Sequence, residues 1–122
     1  MAVGLGGTFG AIARHAVSNA VQRVHGGDLP AGTLVVNLLG CLLIGVLGAI
    51  AEGADGLSET ARLTILVGLL GSFTTFSTFS GEILALLRDG RLGTAVAYAA
   101  GSVAFGVLAV ALGRAAGRAL GF

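Results

Sequence analysis

The sequence predicts an all-α membrane protein: one domain over residues 1–122, built of four transmembrane helices, the third of them broken. Three observations lead there. First, only 11% of the residues are charged while 55% are hydrophobic; a soluble domain carries about 25% charged residues, so this chain would leave too much apolar surface in water. Second, four apolar segments each reach the roughly 20 residues that a bilayer requires, and the connections between them are short. Third, the third segment turns polar at its centre. From Gly68 to Ser80 it holds three threonines, three serines and two glycines, all weaker helix formers than alanine. Irregular backbone survives in lipid only where it is buried in protein or lines a wet cavity.

The first span runs from about Ala2 to Val24. Gly4, Gly6, Gly7 and Gly10 open it, and Gly6 with Gly10 makes a close-packing pair of the kind that brings helices together in lipid. Arg14 follows, well inside the apolar run. A cation at that depth faces a wet cavity or a partner, or else snorkels to the nearer interface. His15 reads as interfacial. The second span, about Ala31 to Ala51, places Thr33, Asn37 and Cys41 at i, i+4 and i+8, hence on one face. The amide of Asn37 requires partners among leucines and valines: it is either glue between helices or a donor to an anion or water.

The third span covers about Ala61 to Leu87. Thr64, Gly68, Gly71, Thr75, Thr78 and Glu82 follow steps of four and three, which predicts one continuous small-polar stripe. Phe76 and Phe79 lie three apart beside it. A phenyl ring has a positive edge, so two edges can hold an anion without the grip of a full charge; the bland alternative is packing. The polar break itself reads either as a substrate or ion site or as a tight crossing with back-bonded hydroxyls. The fourth span, about Leu92 to Ala115, sets Tyr98 and Ser102 four apart as a short polar track, with Phe105 next along that face. The connections are Gly26–Pro30, Glu52–Thr60 and Asp89–Arg91. Pro30 suits the first turn of the second helix and Gly90 a C-terminal cap on the third.

Orientation is set by arginine placement, and here it is tied. Arg62, Arg114 and Arg118 fall on the side of the termini; Arg23, Arg88 and Arg91 fall on the other. Such a tie suits a chain that inserts both ways and pairs antiparallel with itself, or one whose orientation is fixed by a weaker signal. Other classes fall away. A net charge of +1 with no basic stripe gives no support to nucleic-acid binding. Nucleophile, base and orienting group do not recur together, so no enzyme is indicated. Cys41 is the sole cysteine, which excludes an internal disulfide. No leader-and-cleavage pattern is evident, so the chain reads as mature and integral.

Three motifs in order are then familiar. Gly6-Gly7-Thr8-Phe9-Gly10-Ala11-Ile12-Ala13-Arg14, Gly32-Thr33-Leu34-Val35-Val36-Asn37-Leu38-Leu39-Gly40 and Thr74-Thr75-Phe76-Ser77-Thr78-Phe79 resemble those of the Fluc (CrcB) family of small fluoride channels, and the resemblance spans nearly the whole chain. It departs at His15, where tyrosine is common, and at Ser72, where a second glycine is common. The resemblance implies an antiparallel, dual-topology homodimer in the plasma membrane of a prokaryote. That dimer would have two pores that export fluoride ion passively. Phe76 and Phe79 would line the path with their ring edges and Asn37 would hydrogen-bond in it. Ser77, Thr78, Tyr98 and Ser102 would add polar contacts, and Arg14 would draw anions to a pore mouth. A structural Na+ at the dimer centre would be held by the carbonyls of Gly71 and Thr74 from both subunits. Two rival readings are a small multidrug-type transporter, which needs a membrane-embedded carboxylate where this first span has Arg14, and a non-transporting assembly subunit.

Overall fold

The computed structural model describes residues 1–53 and 56–120, and they are helical almost throughout. The first span is α1 (Ala2–His25) and the second α2 (Ala31–Glu52). The third begins as a single turn, α3 (Glu59–Arg62), continues as a π-helical stretch (Leu63–Leu70) and closes with another turn, α4 (Gly71–Phe73). It resumes after two extended residues as α5 (Phe76–Arg88), and the fourth span is α6 (Leu92–Ala119). All four spans fall within a few residues of the sequence boundaries. Residues 54 and 55 of the second connection lie outside the described residues.

The second, third and fourth spans are long and apolar enough to cross a membrane. The first carries four glycines, Arg14, His15, Ser18 and Asn19 in its length, which dilutes its apolar character.

Helix ends follow local chemistry. Gly26 takes the left-handed conformation (φ 65°) that closes α1, and its N–H reaches the Gln22 carbonyl. Gly90 does the same after α5 (φ 72°), while Arg91 N–H reaches back to the Leu86 carbonyl; this is the glycine-closed helix end in which left-handed backbone costs nothing. Pro30 stands one residue earlier than expected, just outside α2 rather than in its first turn. Ser58 caps α3, its hydroxyl accepting from Ala61 N–H at 3.2 Å.

Packing follows the glycines. The π stretch and α4 lie along α1, α1 lies against α2, α2 pairs most extensively with α6, and α5 leans on α6. A β-carbon on Gly6 or Gly10 would collide with the Thr64 or Leu69 carbonyl, and one on Gly68 would sit 2.6 Å from the Val3 carbonyl. Gly45 and Gly113 interlock α2 with α6 in the same way, and a β-carbon on Gly117 would meet Ala49 Cβ at 2.8 Å. Apart from the one at Ala49 Cβ, these are backbone-to-backbone contacts, the kind that associates helices where lipid removes any hydrophobic drive.

The break changes the third span's neighbour: its first half belongs to α1 and its second half to α6. It also divides the predicted stripe. Gly68 is buried against α1, Gly71 faces open space, Thr75 turns to α2, and Glu82 meets α2 and α6. The α-helical spacing of four and three fails because a π turn shifts the register and because Thr74 and Thr75 are extended, with ψ of 158° and 117°.

Candidate functional site

Asn37 organises the break. Its Nδ2 donates to the Thr75 carbonyl (3.1 Å), and Thr75 N–H donates to its Oδ1 (2.9 Å). One side chain therefore supplies both polar groups of an extended residue that is itself 9% exposed. Buried backbone must find such partners, and α2 provides them. The glue reading of Asn37 is realised, with one amide hydrogen left over. Thr75 also caps α5: its hydroxyl accepts from Thr78 N–H at 3.3 Å and donates to Thr78 Oγ1 at 3.0 Å.

These two diversions bear on the carbonyls named from the sequence. In an unbroken helix Thr75 N–H would bond Gly71 O and Thr78 N–H would bond Thr74 O. Both donors are turned instead to Asn37 Oδ1 and Thr75 Oγ1. Gly71 and Thr74 thus lose their i+4 partners, while the Thr74 hydroxyl back-bonds to the Leu70 carbonyl at 3.1 Å. A β-carbon on Gly71 would meet nothing within 4 Å. Gly71 and Thr74 share an open groove of about 340 Å³ with Asn37, Gly40, Cys41 and Phe76.

Beyond the break, aromatic rings run in line. Phe76 and Phe79 have centroids 5.9 Å apart at 46°, and Phe79 and Tyr98 are 5.2 Å apart at 59°. Both separations lie in the range favoured by aromatic pairs. Phe76 is 78% exposed, whereas Tyr98 is buried in a cluster with Leu86 and Ala95. The line ends at Glu82, whose carboxylate accepts from Thr33 Oγ1 (2.6 Å) and Tyr98 OH (2.8 Å). Ser102 lies one turn on, its hydroxyl buried with no hydrogen-bond partner among the described residues. A buried hydroxyl of this kind requires an explanation such as an unseen water or ion.

The residues chosen from sequence therefore divide. Asn37, Phe76, Thr78, Phe79, Tyr98 and Ser102 gather along the break and the α5–α6 side. Ser77 is exposed, and Phe105 points outward at 60% exposure. Arg14 lines a second, polar pocket of about 250 Å³ with His15, Ser18, Asn19, Thr33, Thr75 and Thr78. The sequence placed Glu82 only at the end of the small-polar stripe and Thr33 only on the Asn37 face. Their pairing across 49 residues had one signal, the shared face of Thr33 and Asn37, since whatever meets one meets the other.

A helical membrane protein with a hydroxyl-rich break in one span, aromatic edges beside it and a hydroxyl-bound carboxylate belongs to the class that builds a polar site within the bilayer. The family model described as "CrcB-like protein, Camphor Resistance (CrcB)" matches residues 1–114, and the chain belongs to that family. Among similar proteins is the fluoride-specific ion channel FluC of Acidobacterium capsulatum, 42% identical over 115 residues (94% of this chain, 92% of the relative). That of a Thermus thermophilus strain is 47% identical over 119 residues (97% and 92%). That of Chloroflexus aurantiacus is 42% identical over 121 residues (99% and 96%).

Proposed function

We propose that this protein is a fluoride-selective ion channel, not an enzyme, that lets toxic fluoride leave a prokaryotic cell passively through its plasma membrane. The observation that carries the reading is the line Phe76–Phe79–Tyr98 beside the break, in a chain whose relatives bear the name of fluoride channels. Fluoride is small and strongly hydrated, so close contacts must replace its water. Ring edges, that of Tyr98 included since its hydroxyl hydrogen goes to Glu82, the spare amide hydrogen of Asn37 and the hydroxyls of Ser77, Thr78 and Ser102 supply weak contacts, from which an ion can also depart. In this reading α1 is the fourth membrane-crossing span.

The channel is an antiparallel homodimer with two pores. The tied arginines favour dual insertion, and the open groove beside Gly40, Cys41 and Gly71 is a face for a second copy. A structural Na+ fits there by its donors: the carbonyls of Gly71 and Thr74, short of their helical partners, from each of two subunits would give four oxygens. Bound, the ion would supply positive charge that holds the two breaks together. Sodium exchange monitored as density at the dimer centre tests this; density unmoved by replacing sodium counts against it.

Purified protein in liposomes, read with a fluoride electrode, tests the main reading. Fluoride efflux with chloride strongly excluded is expected. Comparable chloride flux, or none of either, refutes it. The multidrug-type alternative predicts proton-coupled cation exchange in the same vesicles, and the assembly-subunit alternative predicts no flux. A reporter on the C-terminus should appear on both sides of the membrane.

A further inference from the structure

We propose that His15 is a second, proton-dependent charge at the mouth marked by Arg14, so that mild acid increases anion entry; the inference rests on the channel reading above. His15 is adjacent to Arg14 on α1, and both line the same polar pocket, whose far wall is Thr75 and Thr78 at the break and the start of α5. An anion collected there therefore lies against the residues that open the proposed path.

The hydrogen bonding of His15 fits a switchable group. Its Nε2 stands 3.0 Å from Asn19 Nδ2. The roles in this contact depend on the ring's tautomer: a ring nitrogen that carries no hydrogen accepts from the amide N–H. Protonation puts a hydrogen on Nε2 and ends that acceptance. Asn19 must then present its carbonyl oxygen instead, and the pocket gains a unit of positive charge. Histidine is the side chain whose charge ordinarily changes between pH 5 and 8.

The surroundings set the sign. From α1 the pocket receives Arg14 and His15. From α2 and α5 it receives hydroxyls only, those of Thr33 and of Thr75 and Thr78. Glu82 of α5 is tied to this lining through Thr33 Oγ1 at 2.6 Å, but its other oxygen is taken by Tyr98. The charge gained on acidification thus adds to Arg14 in a pocket whose own lining holds no acid among the described residues. A unit charge a few ångströms from an entering anion in a wet, salt-screened vestibule changes its local concentration about threefold.

Fluoride currents across planar bilayers test the inference, since a current records only the ionic form and neutral HF leakage leaves no trace. The wild-type protein is measured at pH 5.5 and pH 8.0 beside His15→Gln and His15→Arg, with gel filtration confirming intact protein. The expected result is about threefold more current at the lower pH for wild type. His15→Gln, which keeps a partner for Asn19, should be flat at the low level, and His15→Arg flat at the high level. A wild-type current that does not change with pH, or a pH ratio that persists in either variant, overturns the role of His15 and leaves the channel reading standing. Absence of fluoride current at both pH values overturns the channel reading itself. If His15→Gln fails to fold, the His15→Arg ratio decides.

Discussion

The two halves of the third span are held by opposite means. Its first half, the π stretch and α4, meets α1 backbone to backbone where Gly6, Gly10 and Gly68 leave no side chain between the two helices. Its second half, α5, meets the rest through side chains: Thr33 and Tyr98 on Glu82, Phe79 on Tyr98, and a small apolar cluster around Leu86. Contact by shape tolerates no added atom. Contact by hydroxyl and ring can lose a member and persist, and it leaves Phe76 exposed beside the break. Asn37 stands between the two halves, fixing the residue where one regime gives way to the other.

The contrast is tested most severely at Gly10. Valine there places branched carbons against the Leu69 carbonyl, in backbone that cannot yield. Overpacking of this kind costs about 3 kcal/mol, and no monodisperse protein is expected on gel filtration. Gly81→Ala in α5, where a β-carbon meets nothing within 4 Å, should purify like the parent and melt at or slightly above it, since alanine is the better helix former. If both variants behave alike, the two halves are not held differently.

The next effect is on conduction. Phe76→Ile and Phe79→Ile remove ring edges from the second half while keeping apolar volume. Both should elute as the parent protein does, at a packing cost of about 1–3 kcal/mol, with fluoride flux near the level of protein-free liposomes. A loss of several kcal/mol of stabilisation across one barrier lowers a rate by orders of magnitude. Normal flux from folded protein would return both rings to packing alone.

Asn37→Ala acts at the junction. It strands the N–H and carbonyl of Thr75, and a buried group left without its partner costs about 1–3 kcal/mol. A clear fall in thermal midpoint is expected. Asn37→Asp keeps the acceptor for Thr75 N–H but sets an anionic oxygen against the Thr75 carbonyl, so its midpoint should fall as well; a midpoint equal to the parent's in both variants would mean that the two bonds do not hold the break.

The smallest change sharpens the second half. Thr33→Val removes one of the two hydroxyls on Glu82 and leaves Tyr98 in place. A single net hydrogen bond to a charged group is worth about 1.5–3 kcal/mol when buried, and less here because Glu82 is only partly buried. The protein should fold, with a modest drop in melting temperature. Collapse of Thr33→Val to the level of Gly10→Val would erase the distinction between contact by hydroxyl and contact by backbone.

Much of this was legible in the chain. Apolar runs marked four helical segments within a few residues, three of them apolar enough to cross a membrane, because length and hydropathy are local properties. The density of threonine, serine and glycine around residues 68–80 located the break, because helix propensity is also local. The face shared by Thr33 and Asn37 followed from helical period. The continuous stripe from Thr64 to Glu82 did not hold, since it assumed an α-helical period through a segment that is π-helical and then extended. No composition rule reveals which carbonyl will be left without its donor.

Membrane residence, the number of helical segments and the place where the third one fails were thus written locally. Each depends on a residue and its neighbours within a turn or two, and lipid punishes unsatisfied backbone so heavily that these preferences hold without help from the rest of the fold. The meetings between spans had to await the folded chain: Asn37 takes both polar groups of Thr75, Glu82 is shared by Thr33 and Tyr98, and Arg14 and His15 face one pocket with Thr75 and Thr78. These pairings are fixed by how closely glycine lets the backbones approach, and a distance between helices is not written in either helix alone.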